Sequence, residues 1–143
     1  ITILDLEPEC EIAKRNIEEY GFSDRISTQP GSMFEPLPSG YDGILFGNIF
    51  HDWDLETCKK LAQNTFESLE PGGTICLQEM VLWPKKDGPL AVAAFSVGML
   101  VHELGKQFTQ AELEDILGGA GFIDVQVTPS FGHYSLVTAQ KPA

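Results

Sequence analysis

Three residues have the type and placement that chemistry needs: His51, Glu79 and Asp5. His51 follows Ile44-Leu45-Phe46, an apolar run without alternation that Gly47 and Asn48 break. Such a run is expected of a strand buried on both faces of a parallel sheet. Ligands of open α/β sheets bind just beyond the carboxyl ends of the strands, and a histidine there can titrate near neutral pH. To act as a general base it needs a carboxylate to orient it and a substrate hydroxyl within reach. Glu79 stands toward the end of what reads as the neighbouring strand and is the candidate orienter; Asp52 is nearer in sequence. The alternative is a structural histidine ahead of a helix. Asp5 ends the first strand-like run. In nucleotide-binding α/β folds an acid at that place accepts hydrogen bonds from ribose hydroxyls; otherwise it is a solvated acid at a helix entry.

The elements that must position these residues follow from periodicity. Ile1 to Leu4 read as a buried strand. A helix follows from Pro8, with Cys10, Ala13, Ile17 and Tyr20 on one face and Gly21 as its stop. Arg25 to Gln29 form a second short strand, and Pro30 to Tyr41 a loop. Asp54 can cap a helix whose apolar face is Leu55, Cys58, Leu61, Ala62, Thr65, Phe66 and Leu69, ended by Pro71-Gly72-Gly73. Thr74 to Trp83 is a strand carrying Glu79. Leu90 to Glu103 reads as a helix apolar nearly all round, hence buried on more than one side. On it, Phe95, Met99 and His102 either wall an apolar pocket or belong to core or a subunit interface. Thr109 and Glu112 have capping-box spacing ahead of a helix through Ala120, and Gly121 closes it. Phe122 to Thr128 and Tyr134 to Gln140 close the chain as strands without a helix between them, so they should pair antiparallel or lie close in the same sheet. Strands alternating with helices, then a hairpin-like end, define a doubly wound α/β fold in one domain.

The 143 residues suffice for one domain with a real core. Nine Lys and Arg against 21 Asp and Glu give a net charge of -12, which argues against a nucleic-acid partner. Three scattered cysteines give neither a metal spacing nor a disulfide framework, so a reducing cytoplasm is expected. The longest apolar stretch, 90–101, falls short of the roughly 20 residues a membrane span needs. The chain opens inside a strand-like run without an initiating Met, and reads as a piece of a longer protein. A nucleotide-binding fold needs a Gly-rich turn one strand before its ribose acid. Gly118-Gly119-Ala120-Gly121 ends a helix instead of opening one, so that turn is expected upstream of Ile1.

His51-Asp52-Trp53, Pro71-Gly72-Gly73, the strand bearing Glu79, Gly105-Lys106-Gln107-Phe108-Thr109 and Ala120-Gly121-Phe122 occur in an order and spacing that match a known family. The chain resembles the catalytic domain of S-adenosylmethionine (SAM) dependent O-methyltransferases of the caffeate and hydroxyindole type, including bacterial small-molecule relatives. The resemblance implies a Rossmann-like class I methyltransferase sheet with an antiparallel C-terminal strand. It implies that residues 1–143 are the C-terminal part of one catalytic domain, whose central strand and Gly-rich turn lie before Ile1 and fill a gap in the sheet. It implies SAM as cofactor, a small aromatic acceptor, no metal, and a homodimer for the intact protein. His51 looks like the base, Glu79 like the first of two bracketing acids, and Gln107 stands where the second acid is usual. Asp5 looks like the ribose acid and Met33 like a residue flanking the adenine; Ser32 replaces an aspartate and Gly47 a lysine near the cofactor. Met99 matches a methionine that packs on an aromatic acceptor, and Glu103 falls where an asparagine often meets it; Phe95 of the apolar helix and Asp52 are expected to join them in binding the acceptor. Two rivals remain at this level: a nicotinamide-dependent oxidoreductase, since Asp5 suits either cofactor, and a non-catalytic methyltransferase-like interaction module.

Overall fold

In the computed structural model, which describes residues 1–143, the chain divides into two units, Ile1–Leu37 and Pro38–Ala143. In the first, β1 (Thr2–Asp5) leads into α1 (Glu7–Glu19), with Pro8 in the first turn where its missing N–H costs nothing. Cys10 and Ile17 form the buried side of α1. Strand β2 (Ser27–Pro30), one or two residues later than expected, pairs parallel with β1 from Thr2–Ser27 to Asp5–Pro30.

The second unit carries β3 (Tyr41–Gly47), a 3-10 turn (Phe50–Asp52), α2 (Leu55–Ser68), β4 (Leu69–Met80), α3 (Leu90–His102), α4 (Gln110–Gly119), β5 (Ile123–Pro129) and β6 (Tyr134–Gln140). Its sheet runs β3-β4-β6-β5. The β3–β4 pair is parallel, and β6 lies antiparallel between β4 and β5. This four-stranded sheet is mixed, as expected, with β3 paired only with β4; in the first unit β1 pairs only with β2.

Both predicted caps form. Asp54 accepts the Thr57 N–H at 2.8 Å and starts α2. At α4, Thr109 Oγ1 accepts the Glu112 N–H while the Glu112 carboxylate accepts the Thr109 N–H. Leu61, Ala62 and Thr65 of α2 and Leu113, Ile116 and Leu117 of α4 are buried, as are Ile75 and Leu77 of β4 and Val137 and Ala139 of β6. Gly121 (φ +104°) closes α4 in a conformation that side chains avoid. A Cβ there would also stand 2.9 Å from the Phe66 ring of α2, so the glycine lets Phe122 pack edge-on against Phe66, ring centres 5.1 Å apart.

Four expectations need correction. Pro71-Gly72-Gly73 does not separate α2 from a later strand. Leu69, buried and extended, already pairs with Tyr41, and the Pro-Gly-Gly segment is a bulge within β4 before pairing resumes at Gly43–Thr74. The same strand ends at Met80 instead of Trp83, leaving Leu82 in one parallel bridge with Thr109. Strand β3 is not buried on both faces: only Phe46 turns into the core, while Leu45, on the opposite face, is 64% exposed. Finally, α3 is largely exposed. Only Val92 is buried, joining Met80 and Leu82, while Leu90, Val97, Leu100 and Val101 are open to solvent. Its apolar circumference has packing partners within these residues on one narrow side only. No helix is long and apolar enough to cross a membrane.

The C-terminal end stitches α2 to the sheet. Lys141 Nζ donates to the carbonyls of Phe66 (2.7 Å) and Leu69 (2.6 Å), supplying acceptors left over at the helix end with a charged donor. Hydrogen bonds to charged groups contribute about 1.5–3 kcal/mol. Lys141→Met should therefore lower the unfolding free energy by about that amount in denaturant titration; a change under about 0.5 kcal/mol would show that water replaces the lysine.

Candidate active site

Strand β4 exposes one set of side chains to the core in alternation: Ile75, Leu77 and then Glu79. Glu79 is therefore a carboxylate on an apolar face, 2% exposed, and burying it is costly unless donors meet it. The parallel neighbour β3 delivers those donors. After Gly47 the chain turns through Asn48 (φ +57°) into the 3-10 turn, anchored by the fully buried Phe50. Glu79 Oε1 accepts the Phe50 N–H at 2.9 Å, and Oε2 faces His51 Nδ1 at 2.5 Å. From α2, the Cys58 thiol donates to the Phe50 carbonyl at 3.2 Å; burial pushes that thiol up to about 12, so it stays neutral.

The imidazole is thus held at one nitrogen. With Nδ1 donating to Glu79, the neutral ring carries its lone pair on Nε2. Asp52 Oδ1 lies 3.3 Å from Nε2, and the Asp52 side chain is 35% exposed against 3% for Glu79. Nε2 therefore faces the more exposed of the two carboxylates. Phe95 of α3 packs edge-on against the imidazole, ring centres 5.7 Å apart. Burial disfavours the charged ring and is the largest single influence. The Glu79 hydrogen bond, with the charges of Glu79 and Asp52, outweighs it and raises the His51 pKa above 6.5.

The loop between α3 and α4 closes this side. Its Gln107 N–H donates to Ser96 Oγ of α3 at 3.0 Å. Lys106 of the same loop and Lys86 of the loop before α3 both bond Glu112 at the α4 N-terminus. Burial pushes Glu112 up, but the hydrogen bonds from Lys106, Lys86 and the Thr109 N–H prevail and bring it to about 2.

The structure brings His51, Glu79, Asp52 and Phe95 together. Gln107 is 1% exposed, yet neither its amide oxygen nor its nitrogen has a hydrogen-bond partner, so no hydrogen bond from it completes the bracket around His51; Asp52 supplies the second carboxylate. Met99 is half-buried on α3, and Glu103 is its exposed C-cap. Gly47 ends β3 with space beside it, a Cβ there being 3.7 Å from the Gln78 side chain. In the first unit, Asp5 is exposed at the end of β1 with Oδ1 on the Leu6 N–H. Ser32 Oγ accepts the Phe34 N–H, and Met33 is half-buried. A hollow of about 510 Å³ in the second unit lies between α2 and α4 among Glu56, Lys59, Gln63 and Asp115, away from His51. Sequence reasoning missed the contact of Gly105 with the His51 turn, since that glycine figured there only as part of the Gly105-Lys106-Gln107-Phe108-Thr109 segment.

A buried glutamate thus meets a histidine at the ends of adjacent parallel strands of an α/β sheet. The chain belongs to the O-methyltransferase domain family, which residues 1–123 match. It is 36% identical over 126 residues to the 3-hydroxy-5-methyl-1-naphthoate 3-O-methyltransferase of Streptomyces sahachiroi, covering 87% of this chain and 36% of that protein. Human N-acetylserotonin methyltransferase, solved in complex with SAM, superimposes with a TM-score of 0.90 at 30% identity, over 100% of this chain and 41% of that one. An O-methyltransferase family 2 protein from Planctomyces limnophilus, solved with apigenin, gives 0.92 at 28% identity, over 98% and 43%. The chain thus spans about two fifths of the length of these relatives.

The balance of forces on His51 has a readable consequence. Glu79→Gln removes the neighbouring charge and weakens the bond to Nδ1, leaving burial to pull the pKa down. In the intact protein, the acid limb of a kcat/KM profile should start above pH 6.5 and move to lower pH in E79Q. A limb that stays put would show that Glu79 does not set the charge of the ring.

Proposed function

We propose that this chain is the acceptor-activating part of a SAM-dependent O-methyltransferase whose acceptor is a phenolic hydroxyl on a small aromatic molecule. The observation that carries the reading is the 2.5 Å contact between His51 Nδ1 and the buried Glu79 carboxylate, which leaves Nε2 as the basic nitrogen. A phenol has a pKa of roughly 10, so little of it is ionised at neutral pH. Neutral His51 takes the phenolic proton at Nε2 as the oxygen becomes nucleophilic. The proton then rests between Nε2 and Asp52, and Glu79 stabilises the imidazolium from the other side. General-base help of this kind contributes about 10² to 10⁴ in rate.

When bound, SAM supplies an electrophilic methyl group on a sulfonium sulfur. The residues of the first unit fit such a ligand in type: Asp5 stands at a strand end, exposed, with only Oδ1 engaged locally. It would hold ribose hydroxyls, with Ser32 and Met33 toward the adenine. Gly47 leaves room for cofactor at the end of β3. Phe95 and Met99 offer apolar surface and Asp52 and Glu103 polar groups to the acceptor, and Gln107 offers a buried amide with no partner in the protein. The naphthoate in the name of the Streptomyces relative and the apigenin bound to the Planctomyces protein support the choice of an aromatic ring. The intact protein is proposed to add the central strand and Gly-rich turn ahead of β1, to work as a homodimer in the cytoplasm, and to bind neither nucleic acid nor membrane. An oxidoreductase is the less favoured alternative, given the family.

The test uses the intact protein, isotope-labelled SAM and a hydroxynaphthoate probe, with the labelled methyl located by NMR of the product. His51→Ala should cut kcat by about 10² to 10⁴ while leaving SAM affinity nearly unchanged by calorimetry. Equal loss of both would make His51 structural, and label on carbon would reject the hydroxyl as acceptor.

A further inference from the structure

The side chain of His51 is held by Glu79, but a ring is only as fixed as the backbone beneath it. That backbone is pressed from the other side by Gly105. A Cβ on Gly105 would lie 2.0 Å from the His51 carbonyl oxygen, 2.6 Å from the Asp52 carbonyl carbon and 2.6 Å from the Trp53 nitrogen. All are well inside the roughly 3.5 Å of ordinary carbon contact. The atoms in the way are main chain, so no side-chain rotation relieves the overlap. Beside it the Leu104 N–H donates to the Asp52 carbonyl at 3.3 Å.

The loop bearing Gly105 is itself tied to the strand bearing Glu79. Three residues after Glu79, the Leu82 N–H donates to the Phe108 carbonyl at 2.8 Å, and Leu82 bridges to Thr109. The 3-10 turn is therefore clasped between two parts of one frame: the Glu79 carboxylate on one side and the Gly105 backbone on the other. Neither can yield freely. The loop is held by Leu82, and by Ser96 through the Gln107 N–H; the turn is held by Phe50 and Cys58.

We propose that Gly105 is a positioning residue for the base: its close backbone approach fixes the His51 turn so that Nδ1 stays within hydrogen-bond distance of Glu79. The inference rests on His51 being the base and goes beyond it, because Gly105 acts only through the backbone. A Cβ at this place forces the turn away from the loop and strains the contact with Glu79. The groups facing the ring are Glu79 from β4, Asp52 from the turn itself and the uncharged Phe95 ring from α3, with the neutral Cys58 thiol behind the turn. When the two carboxylates recede, burial prevails and the ring becomes harder to protonate.

The experiment is an NMR titration of ¹³C-histidine-labelled intact protein, the His51 signal identified by its loss in His51→Ala. Gly105→Ala should lower the His51 pKa by about 1 unit or more and shift the acid limb of kcat equally, with KM for SAM unchanged. A merely structural glycine would lower thermal stability and leave the titration where it was. Leu104→Pro provides a second route one residue away, its ring Cδ standing where the amide hydrogen now meets the Asp52 carbonyl. It deletes the donor to the Asp52 carbonyl, and Glu103 before it is already extended (φ -126°, ψ -169°), as the residue before proline prefers. It should move the pKa the same way by less. Folded G105A with an unshifted His51 overturns the inference; if G105A does not fold, an unshifted pKa in L104P does so. Retained turnover in His51→Ala would overturn the base reading alone, since the titration is read without any activity.

Discussion

A single carboxylate on the wrong side of a strand organises this molecule. Ile75, Leu77 and Glu79 alternate onto the same inner face of β4, and the third is charged. A buried carboxylate without donors costs far more than a domain of marginal stability can absorb. Glu79 is met by one backbone N–H and one imidazole, both from a turn of three residues. The conformation after β3, the burial of Phe50 and the orientation of His51 are consequences of satisfying that charge. Places where local patterning is broken against its energetic interest are where function is expected.

The same pairing sets stability against chemistry. A histidine whose folded pKa is raised contributes its stabilisation fully below the unfolded value near 6.5, and that contribution is lost as pH rises through the folded value. The neutral ring, the form with a lone pair on one ring nitrogen, is populated as that contribution fades. Glu79 thus makes the ring a better proton acceptor and a more firmly held residue, but not at the same pH. Asp52, more exposed, adds to the first effect from the side on which Nε2 opens.

The helix caps at Asp54 and Thr109, the antiparallel closing strands and the adjacency of His51 to Glu79 were legible in the sequence because each is local, or follows from which strands are neighbours. Other features were set by distant contacts. Leu69 leaves the helix early because Tyr41 pairs with it, which Pro71-Gly72-Gly73 does not announce. The apolar circumference of α3 suggested burial, yet only the side at Val92 meets anything within these residues. Gly105 meets a carbonyl 54 positions earlier, and glycine is written the same way whether it breaks a helix or admits a backbone. For Gln107 the family resemblance implies a place in the bracket; its amide lies unpaired, and Asp52 is the carboxylate 3.3 Å from Nε2.

The central claim is that Glu79 fixes the proton of the neutral imidazole on Nδ1 and leaves Nε2 bare. ¹⁵N chemical shifts of labelled His51, recorded above its pKa, read that directly. The account predicts a protonated Nδ1 and an unprotonated Nε2, the less common tautomer of free histidine. A proton on Nε2, with Nδ1 bare against the glutamate, would contradict it.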